Sequence, residues 1–246
     1  MRRTIFISIT LFVFAGGMFA QQEEESKTAF VRRFSIGGRL SFPVLRQVSS
    51  GETQQSLTTG PTEITATSEG KSVIAGGGVA LQFAVRDRYA VSVDLMRRKV
   101  GYHLTTVTFV GTDNTATVAD ERKGTTLSEQ TRASSWELPI LVRRYSIGRF
   151  EEGPRWFVEG GPSIRRTGGV STFTQVNDDC CLQIPAKLSS RYTPGITIGM
   201  GGQLADDYGV KIVPEIRYTR WLGRPFDSAP ARSQVNQLEV LIGVTF

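Results

Sequence analysis

The chain has 246 residues, a formal net charge of +6, 39% hydrophobic residues, 26 glycines and two cysteines. The net charge is small, and acidic and basic residues are mixed along the chain without forming basic blocks. This distribution argues against a nucleic-acid-binding protein. Cys180 and Cys181 are adjacent. A disulfide framework needs cysteines that are distant in sequence, so we interpret the pair as a local loop feature.

Residues 1–20 have the three-part layout of a secretory signal peptide. Arg2 and Arg3 form a basic start, residues 4–15 are an apolar run, and GGMFA leads into the charged stretch QQEEES. The run is too short to span a membrane as a helix. We predict cleavage after Ala20, with cleavage after Gly17 as the alternative, followed by a single domain over residues 21–246.

From residue 34 onward, apolar residues recur at every second position, which is the period of a β-strand. This pattern predicts strands whose length suits a tilted crossing of a bilayer. Pro162 and Pro214 fall inside two of the runs, so we expect local irregularity there. In chain order, the eight runs lie at 34–42, 73–85, 89–95, 136–142, 156–164, 196–204, 208–218 and 238–246.

The alternate positions of these runs carry small and charged residues instead. In a water-soluble sandwich this polar face would point to solvent, whereas in a membrane barrel it would point into the lumen and the apolar face would point to lipid. The charged and amide residues on this parity are Arg33, Arg39, Gln82, Arg86, Asp94, Arg98, Glu137, Arg143, Glu159, Arg165, Lys211, Glu215, Arg217 and Glu239.

The lengths of the connections favour the membrane barrel. Short and long connections alternate, so that all short turns lie at one end and all longer loops at the other, as in outer-membrane barrels. The short links are 86–88, 146–154 and 205–207, the long links are 45–71, 103–132 and 167–191, and the last link, 222–233, is intermediate.

Aromatic residues are concentrated at the two ends of the predicted strands, which is typical of the two interfacial girdles of a membrane protein. The short-turn end carries Phe34, Phe83, Tyr89, Trp156, Tyr208 and Phe246, and the long-loop end carries Phe42, Tyr102, Trp136, Tyr192, Tyr218 and Trp221. We therefore predict that lipid covers the apolar face of the last strand and that closure onto the first strand covers its backbone edge.

The predicted fold is an all-β, eight-stranded, antiparallel up-and-down transmembrane β-barrel with long extracellular loops. The alternative is a barrel of ten strands, because residues 104–118 have the composition of two further strands as well as of a hairpin extending beyond the membrane.

Several strand patterns resemble a known family. WELPILVRRYSI (136–147), PRWFVEGGPSI (154–164), GITIGMGGQL (195–204), PEIRYTRWLG (214–223) and the terminal QLEVLIGVTF look like the outer membrane protein β-barrel domain family. This small eight-stranded group includes PorT-like proteins and is shaped like the OmpA membrane domain. The resemblance implies a bacterial outer-membrane location. It also implies that Phe246 acts as an assembly signal, with the outer-membrane barrel assembly machinery as a partner.

The sequence offers little that indicates catalysis. The sole histidine, His103, lacks the serine two residues later that the lipid A deacylase pattern has, and no Gly-x-Ser-x-Gly elbow occurs. No histidine cluster offers a metal site. We therefore predict no catalytic, cofactor-binding or metal-binding residue and no cofactor.

The inward charges predict a structural network. An eight-stranded barrel is just wide enough for side chains to fill it, and buried charges must pair. We predict a plug of ion pairs, and a gated or narrow polar path is the alternative reading. The predicted network comprises Arg39, Asp94, Glu137, Arg143, Glu159, Arg165, Lys211, Glu215, Arg217 and Glu239.

A second set of basic residues faces outward near the long loops: Arg97, Lys99, Arg166 and Arg220. They are candidates for neutralising lipopolysaccharide phosphates, or they simply extend to the lipid headgroups. The leading hypothesis is a non-enzymatic outer-membrane protein with a structural or surface-interaction role. The alternatives are a narrow pore for small solutes, a lipid A-modifying enzyme and a secretion-associated, PorT-like component.

Overall fold

The computed structural model describes residues 32–57, 62–70, 75–111, 123–151, 155–177, 179–182, 186–205, 210–228 and 231–246. The predicted signal peptide lies outside these residues. Within them, no helix is long and apolar enough to cross a membrane. The strands are β1 (Phe34–Pro43), β2 (Gly51–Leu57), β3 (Thr62–Gly70), β4 (Gly76–Arg86), β5 (Tyr89–Val110), β6 (Lys123–Tyr145), β7 (Arg155–Val176), β8 (Asp179–Leu182), β9 (Tyr192–Ala205), β10 (Lys211–Trp221) and β11 (Asn236–Thr245).

A ring of 8 strands forms the body of the protein. Its order is β1, β4, β5, β6, β7, β9, β10, β11 and back to β1, and each neighbouring pair is antiparallel. The last strand closes onto the first, with Ile242 opposite Leu40 and Thr245 opposite Gly37. The predicted eight-stranded antiparallel barrel is confirmed. Closure pairs the backbone edges that an open sheet would leave free.

The two faces of the ring differ as the period-two pattern predicted. Along β10, the even-numbered residues Ile212, Pro214 and Ile216 are exposed, whereas Glu215 and Arg217 are buried. The same alternation runs through β6, β7 and β11. The apolar side chains thus lie on the outer surface, and the charged side chains lie in the lumen. In a water-soluble sandwich, the apolar face would be buried and the charged face would be exposed.

Short and long connections alternate around the ring. Residues 87–88 join β4 to β5, 146–154 join β6 to β7, and 206–210 join β9 to β10. The connections at the opposite end are longer, and the first of them contains the hairpin of β2 and β3. We call the two ends of the barrel the turn end and the loop end.

Three strands extend well past the ring at the loop end. β5, β6 and β7 contain 22, 23 and 22 residues, and the pairing of β5 with β6 runs on until Val110 lies opposite Lys123. β3 pairs with the outer half of β5, and β8 pairs with the end of β7. Residues 104–110 thus belong to a hairpin that extends beyond the barrel, and residues 112–122 lie outside the described part. Much of 45–71 and 103–132, predicted as loops, is strand.

Two residues assigned to the outer aromatic girdle lie inside instead. Tyr102 and Trp221 are 6% and 2% exposed. Tyr102 shares the inward parity of Arg98, and Trp221 shares that of Arg217, so their assignment to the lipid face was wrong. Tyr218 is half-buried and Tyr208 lies outside the described residues. The other girdle residues, Phe34, Phe42, Phe83, Tyr89, Trp136, Tyr192, Trp156 and Phe246, are exposed.

The two prolines behave alike. The ladder between β9 and β10 skips Val213 and Pro214, as expected where a backbone donor is missing. The ladder between β6 and β7 likewise skips Gly161 and Pro162, so the irregularity predicted there also occurs. On its other side, Pro162 pairs with Ile196 in continuous register. Cys180 and Cys181 lie in β8, and the backbone of Cys180 pairs with Gln175 of β7.

Candidate functional site

The lumen contains charged side chains arranged in two clusters. The first, which we call the central cluster, comprises Arg39, Asp94, Arg143, Glu159, Glu215 and Arg217. The second, the loop-side cluster, comprises Arg98, Glu137, Arg165 and Glu239. Together the two clusters contain five arginines and five carboxylates. Their charges therefore sum to zero when all ten groups are ionised.

Arg217 lies at the middle of the central cluster. Its Nη2 atom is 2.6 Å from Glu215 Oε1, 2.8 Å from Asp94 Oδ2 and 3.1 Å from Glu159 Oε1. Arg143 donates to Glu159 Oε2 at 2.5 Å and to Glu215 Oε2 at 2.9 Å. These side chains are almost fully buried, so water does not screen the attraction. The cluster therefore holds strands from opposite sides of the ring together.

The loop-side cluster combines ion pairs with neutral partners. Arg98 Nε donates to Glu137 Oε2 at 2.9 Å, and its Nη2 atom donates to Glu239. Arg165 also pairs with Glu137, at 3.0 Å. Gln237 donates to Glu137 at 3.1 Å. Because the carboxylate of Glu137 receives several donors, its burial is compensated.

An aromatic ring covers this cluster on the loop side. The guanidinium of Arg165 stacks 3.9 Å from the ring centroid of Trp221, and Trp221 Nε1 donates to Gln237 Oε1 at 2.9 Å. Such a stacked arginine uses both its charge and its flat face. Trp221 thus forms a lid over the ion pairs, a role that its outward assignment from the sequence had missed.

The structure places the predicted network residues as follows. Nine of the ten lie in the two clusters. Lys211 does not join them, because it lies at the turn end and donates to Ser35 Oγ at 3.0 Å. Arg98, which the predicted set omitted although it shares the inward parity, pairs with two carboxylates. Arg33 and Arg86 share that parity but are exposed at the rim.

Apolar side chains also fill the lumen. Leu141, Leu241 and Phe157 are 0% exposed, and Arg143 lies 4.3 Å from the ring centroid of Phe157. The cavity between the two clusters, bordered by Glu137, Arg217 and Trp221, has a volume of about 10 Å³. That volume is about the space of one water molecule. The lumen is therefore plugged at its middle.

The outward basic residues form part of a row that crosses four strands. Arg97, Trp136, Arg166 and Tyr192 lie opposite one another in successive strands from β5 to β9. Arg97 lies 5.5 Å from the ring centroid of Trp136, and Arg166 lies 5.9 Å from that of Tyr192. The row alternates charge and ring on the outer surface. Two further candidates are also exposed: Lys99, and Arg220, which donates to Asn236 at 2.5 Å.

His103 lies close to a serine that the sequence alone did not connect with it. Its Nε2 atom is 3.4 Å from Ser128 Oγ, across the β5–β6 ladder of the external hairpin. The backbone pairing is continuous through this region, with His103 opposite Gln130. On its other side, β5 pairs with β3 here, with His103 opposite Glu69. Among the described residues, no group of three metal-ligating side chains is placed to hold an ion.

Phe246 ends the chain at the turn end of the barrel. Its ring is exposed, and its backbone exchanges hydrogen bonds with Ile36 of β1 at 2.9 and 3.3 Å. The terminal residue thus takes part in the seam between the last and first strands.

No protein-family model matches the chain, and no curated protein matches it. Among solved structures, the outer membrane protein OprG from Pseudomonas aeruginosa is similar over 86% of this chain and 93% of its own, with a TM-score of 0.43 and 13% identity. LpxR from Salmonella typhimurium is similar over 86% of this chain and 99% of its own, with a TM-score of 0.28 and 6% identity. At these values, neither likeness bears on what this chain binds or does.

Proposed function

We propose that the chain is an integral β-barrel protein of a bacterial outer membrane, with a closed lumen and a non-enzymatic, structural or surface-interaction role. The observation that carries this proposal is the inversion of the ring, with apolar side chains outside and paired charges inside. Exposed apolar patches above a few hundred Å² are rare on monomeric water-soluble proteins. Here, large apolar side chains are exposed on all eight ring strands, and lipid is the environment that fits them.

The plugged lumen supports a closed barrel over the alternative of a pore. Any solute path must pass the central cluster, where five strands contribute side chains that pair within the lumen. Opening such a path would separate buried charges from their partners, which costs several kcal/mol per group. The external sheet built from β2, β3, β8 and the outer halves of β5–β7 is then the surface available to a partner.

The conductance of the refolded protein tests the closed lumen. We expect the protein in a planar bilayer to give no steady, discrete openings. A variant in which Glu215 and Arg217 are both replaced by alanine serves as the positive control, because it removes the middle of the central cluster and leaves Arg39 paired with Asp94 and Arg143 paired with Glu159. Discrete openings from the unmodified protein would support the pore instead.

The membrane location has a separate test. We expect the mature protein to need detergent and to migrate differently on a gel before and after boiling, as closed barrels do. If it dissolves without detergent as a compact monomer, the location is wrong whatever the conductance shows.

We further propose that the outward row of Arg97, Trp136, Arg166 and Tyr192 contacts lipopolysaccharide, with the arginines on its phosphates. Arginine binds phosphate through two parallel hydrogen bonds, and the neighbouring rings fit the interface. Replacing Arg97 and Arg166 with alanine should reduce the lipopolysaccharide that co-purifies. Arg144→Ala, at the turn end of β6, is the matched control. If the double variant co-purifies with the same amount of lipopolysaccharide, the row makes only ordinary contacts with lipid headgroups.

A further inference from the structure

A pocket of about 580 Å³ opens at the loop end, above the plugged lumen. Its walls come from three separate parts of the chain: the outer halves of β5 and β6, residues 186–189, and residues 226–228. Pockets of about 300–1,000 Å³ hold ligands up to the size of a drug molecule. The volume is therefore sufficient for a small organic ligand.

Hydrogen bonds fix the two loops that form the walls. Ser189 N donates to Pro225 O at 2.8 Å, and Ala186 N donates to Thr172 Oγ1 at 3.0 Å. Ser233 N donates to Phe226 O at 2.9 Å. Because these bonds link the walls to each other and to β7, the pocket is formed before any ligand arrives, which reduces the entropy lost on binding.

The floor of the pocket is apolar. Tyr102 and Phe226 pack edge to face with ring centroids 5.4 Å apart, over a buried cluster that includes Val48 and Ala231. Leu104 and Leu188 pack against this cluster and are only partly buried. They leave apolar surface facing the opening, where an apolar ligand would displace water.

One carboxylate faces this apolar floor. Glu129 lies directly opposite Leu104 in the β5–β6 ladder and is half-buried. No cationic side chain of the described residues lies within ion-pair distance of it. The second acid of the pocket, Asp227, is already neutralised by Arg224 and Arg232, each at 3.5 Å. Burial, with a smaller effect of Glu129, raises the pKa of Tyr102, so that its hydroxyl stays neutral.

We propose that this pocket binds a small organic cation with an apolar body. Glu129 recognises the positive charge, the ring of Tyr102 adds a cation–π contribution, and Leu104 and Leu188 contact the apolar body. Lys187 is also part of the wall but is exposed, and its long side chain extends readily into water. This assignment does not depend on whether the lumen conducts.

Binding of phenethylamine to the refolded mature chain tests the proposal. Phenylacetate and 2-phenylethanol are the anionic and neutral controls of similar shape. In ligand-observed NMR titrations in detergent micelles, we expect phenethylamine to bind most tightly. Glu129→Gln should weaken that binding about tenfold, since one charge-assisted hydrogen bond is lost. Glu52→Gln, on the exposed strand β2, should leave it unchanged.

Leu188→Trp separates binding in the pocket from partition into detergent, because the larger side chain fills the space above the floor. Phenethylamine binding should disappear in this variant. Heat-dependent gel migration establishes that each variant is a folded barrel. The proposal is overturned if phenylacetate binds as tightly as phenethylamine, if Glu129→Gln retains full affinity, if Leu188→Trp still binds, or if the unmodified protein gives no saturable signal at millimolar phenethylamine.

Discussion

Arg217 and Glu215 lie two residues apart on β10 and form an ion pair with 2.6 Å between Nη2 and Oε1, inside the barrel. In a strand, residues two apart share a face, so the pair is placed by the backbone alone. Two further ion pairs stabilise it: Asp94 of β5 pairs with Arg217, and Arg39 of β1 pairs with Glu215. Each carboxylate and each guanidinium therefore has partners on several strands.

The first prediction concerns the loss of this central guanidinium. Arg217→Met leaves three buried carboxylates without their shared donor and should lower the free energy of unfolding by about 3–5 kcal/mol. Urea titration of the protein folded in lipid vesicles measures the change. Arg144→Met, on an exposed position of β6, should alter it by no more than about 0.5 kcal/mol. Equal effects of the two substitutions would mean that the lumen is hydrated enough to screen the charge.

The second prediction tests which face meets lipid. Ile216 lies between Glu215 and Arg217 at the centre of β10, and its side chain is exposed on the outer surface. Arginine at this position should cost about 2–4 kcal/mol in a bilayer, as a charge near the midplane does. Leu222→Arg, just past the loop end of β10, should cost about 0–1 kcal/mol, as expected near the interface. If Ile216→Arg leaves the free energy of unfolding unchanged, this face of the barrel lies in water.

The third prediction uses two adjacent glycines of β1. A Cβ atom on Gly37 would lie 2.0 Å from Val244 O, whereas a Cβ atom on Gly38 would meet nothing within 4 Å. Gly37→Ala should therefore destabilise the barrel by about 1–3 kcal/mol through forced backbone shifts at the seam. Gly38→Ala should be within about 0.5 kcal/mol of the unmodified protein. The same unfolding titration compares them, and a seam that tolerates both equally would contradict the observed register.

The fourth prediction concerns the terminal aromatic residue. Phe246→Ser should lower the amount of folded barrel in the outer membrane of cells, while refolding of the purified protein in detergent proceeds normally. Phe150→Ser, in the turn between β6 and β7, is a control with a similarly exposed ring. Cell fractionation with unheated gels measures both. If Phe246→Ser assembles at the normal level, the aromatic ring is not the recognised signal.

Period-two patterning predicted the ring because lipid outside and ion pairs inside impose opposite chemistry on alternate residues. It held even where both parities are apolar. In the runs LPILV and EVLIGV, Leu141 and Leu241 share the parity of Glu137 and Glu239, and both are buried in the lumen. Trp221 was misplaced because an aromatic residue at a strand end suits either the interface or a lid.

The ion-pair partner of each charged residue could not be predicted from the sequence. Lys211 and Arg98 both have inward parity, but only their heights along the barrel decide that Arg98 meets carboxylates and Lys211 meets Ser35. The pocket at the loop end was harder still to predict, because Val48 and Phe226 lie in distant loops that come together only after the ring has closed. No local pattern records such a contact.

The ionic lumen has a consequence for how the barrel is made. Arg39 pairs with Glu215 over a separation of 176 residues, and Arg98 pairs with Glu239 over 141. A nascent sheet that lacks β10 and β11 lacks Glu215 and Glu239, so Arg39 and Arg98 have only Asp94 and Glu137 as acidic partners. The inner face of such a sheet stays hydrated, and it loses this water only when β10 and β11 pair with the rest of the sheet. Since contacts between distant residues form slowly, we expect insertion and desolvation of the interior to be a single, late and cooperative event.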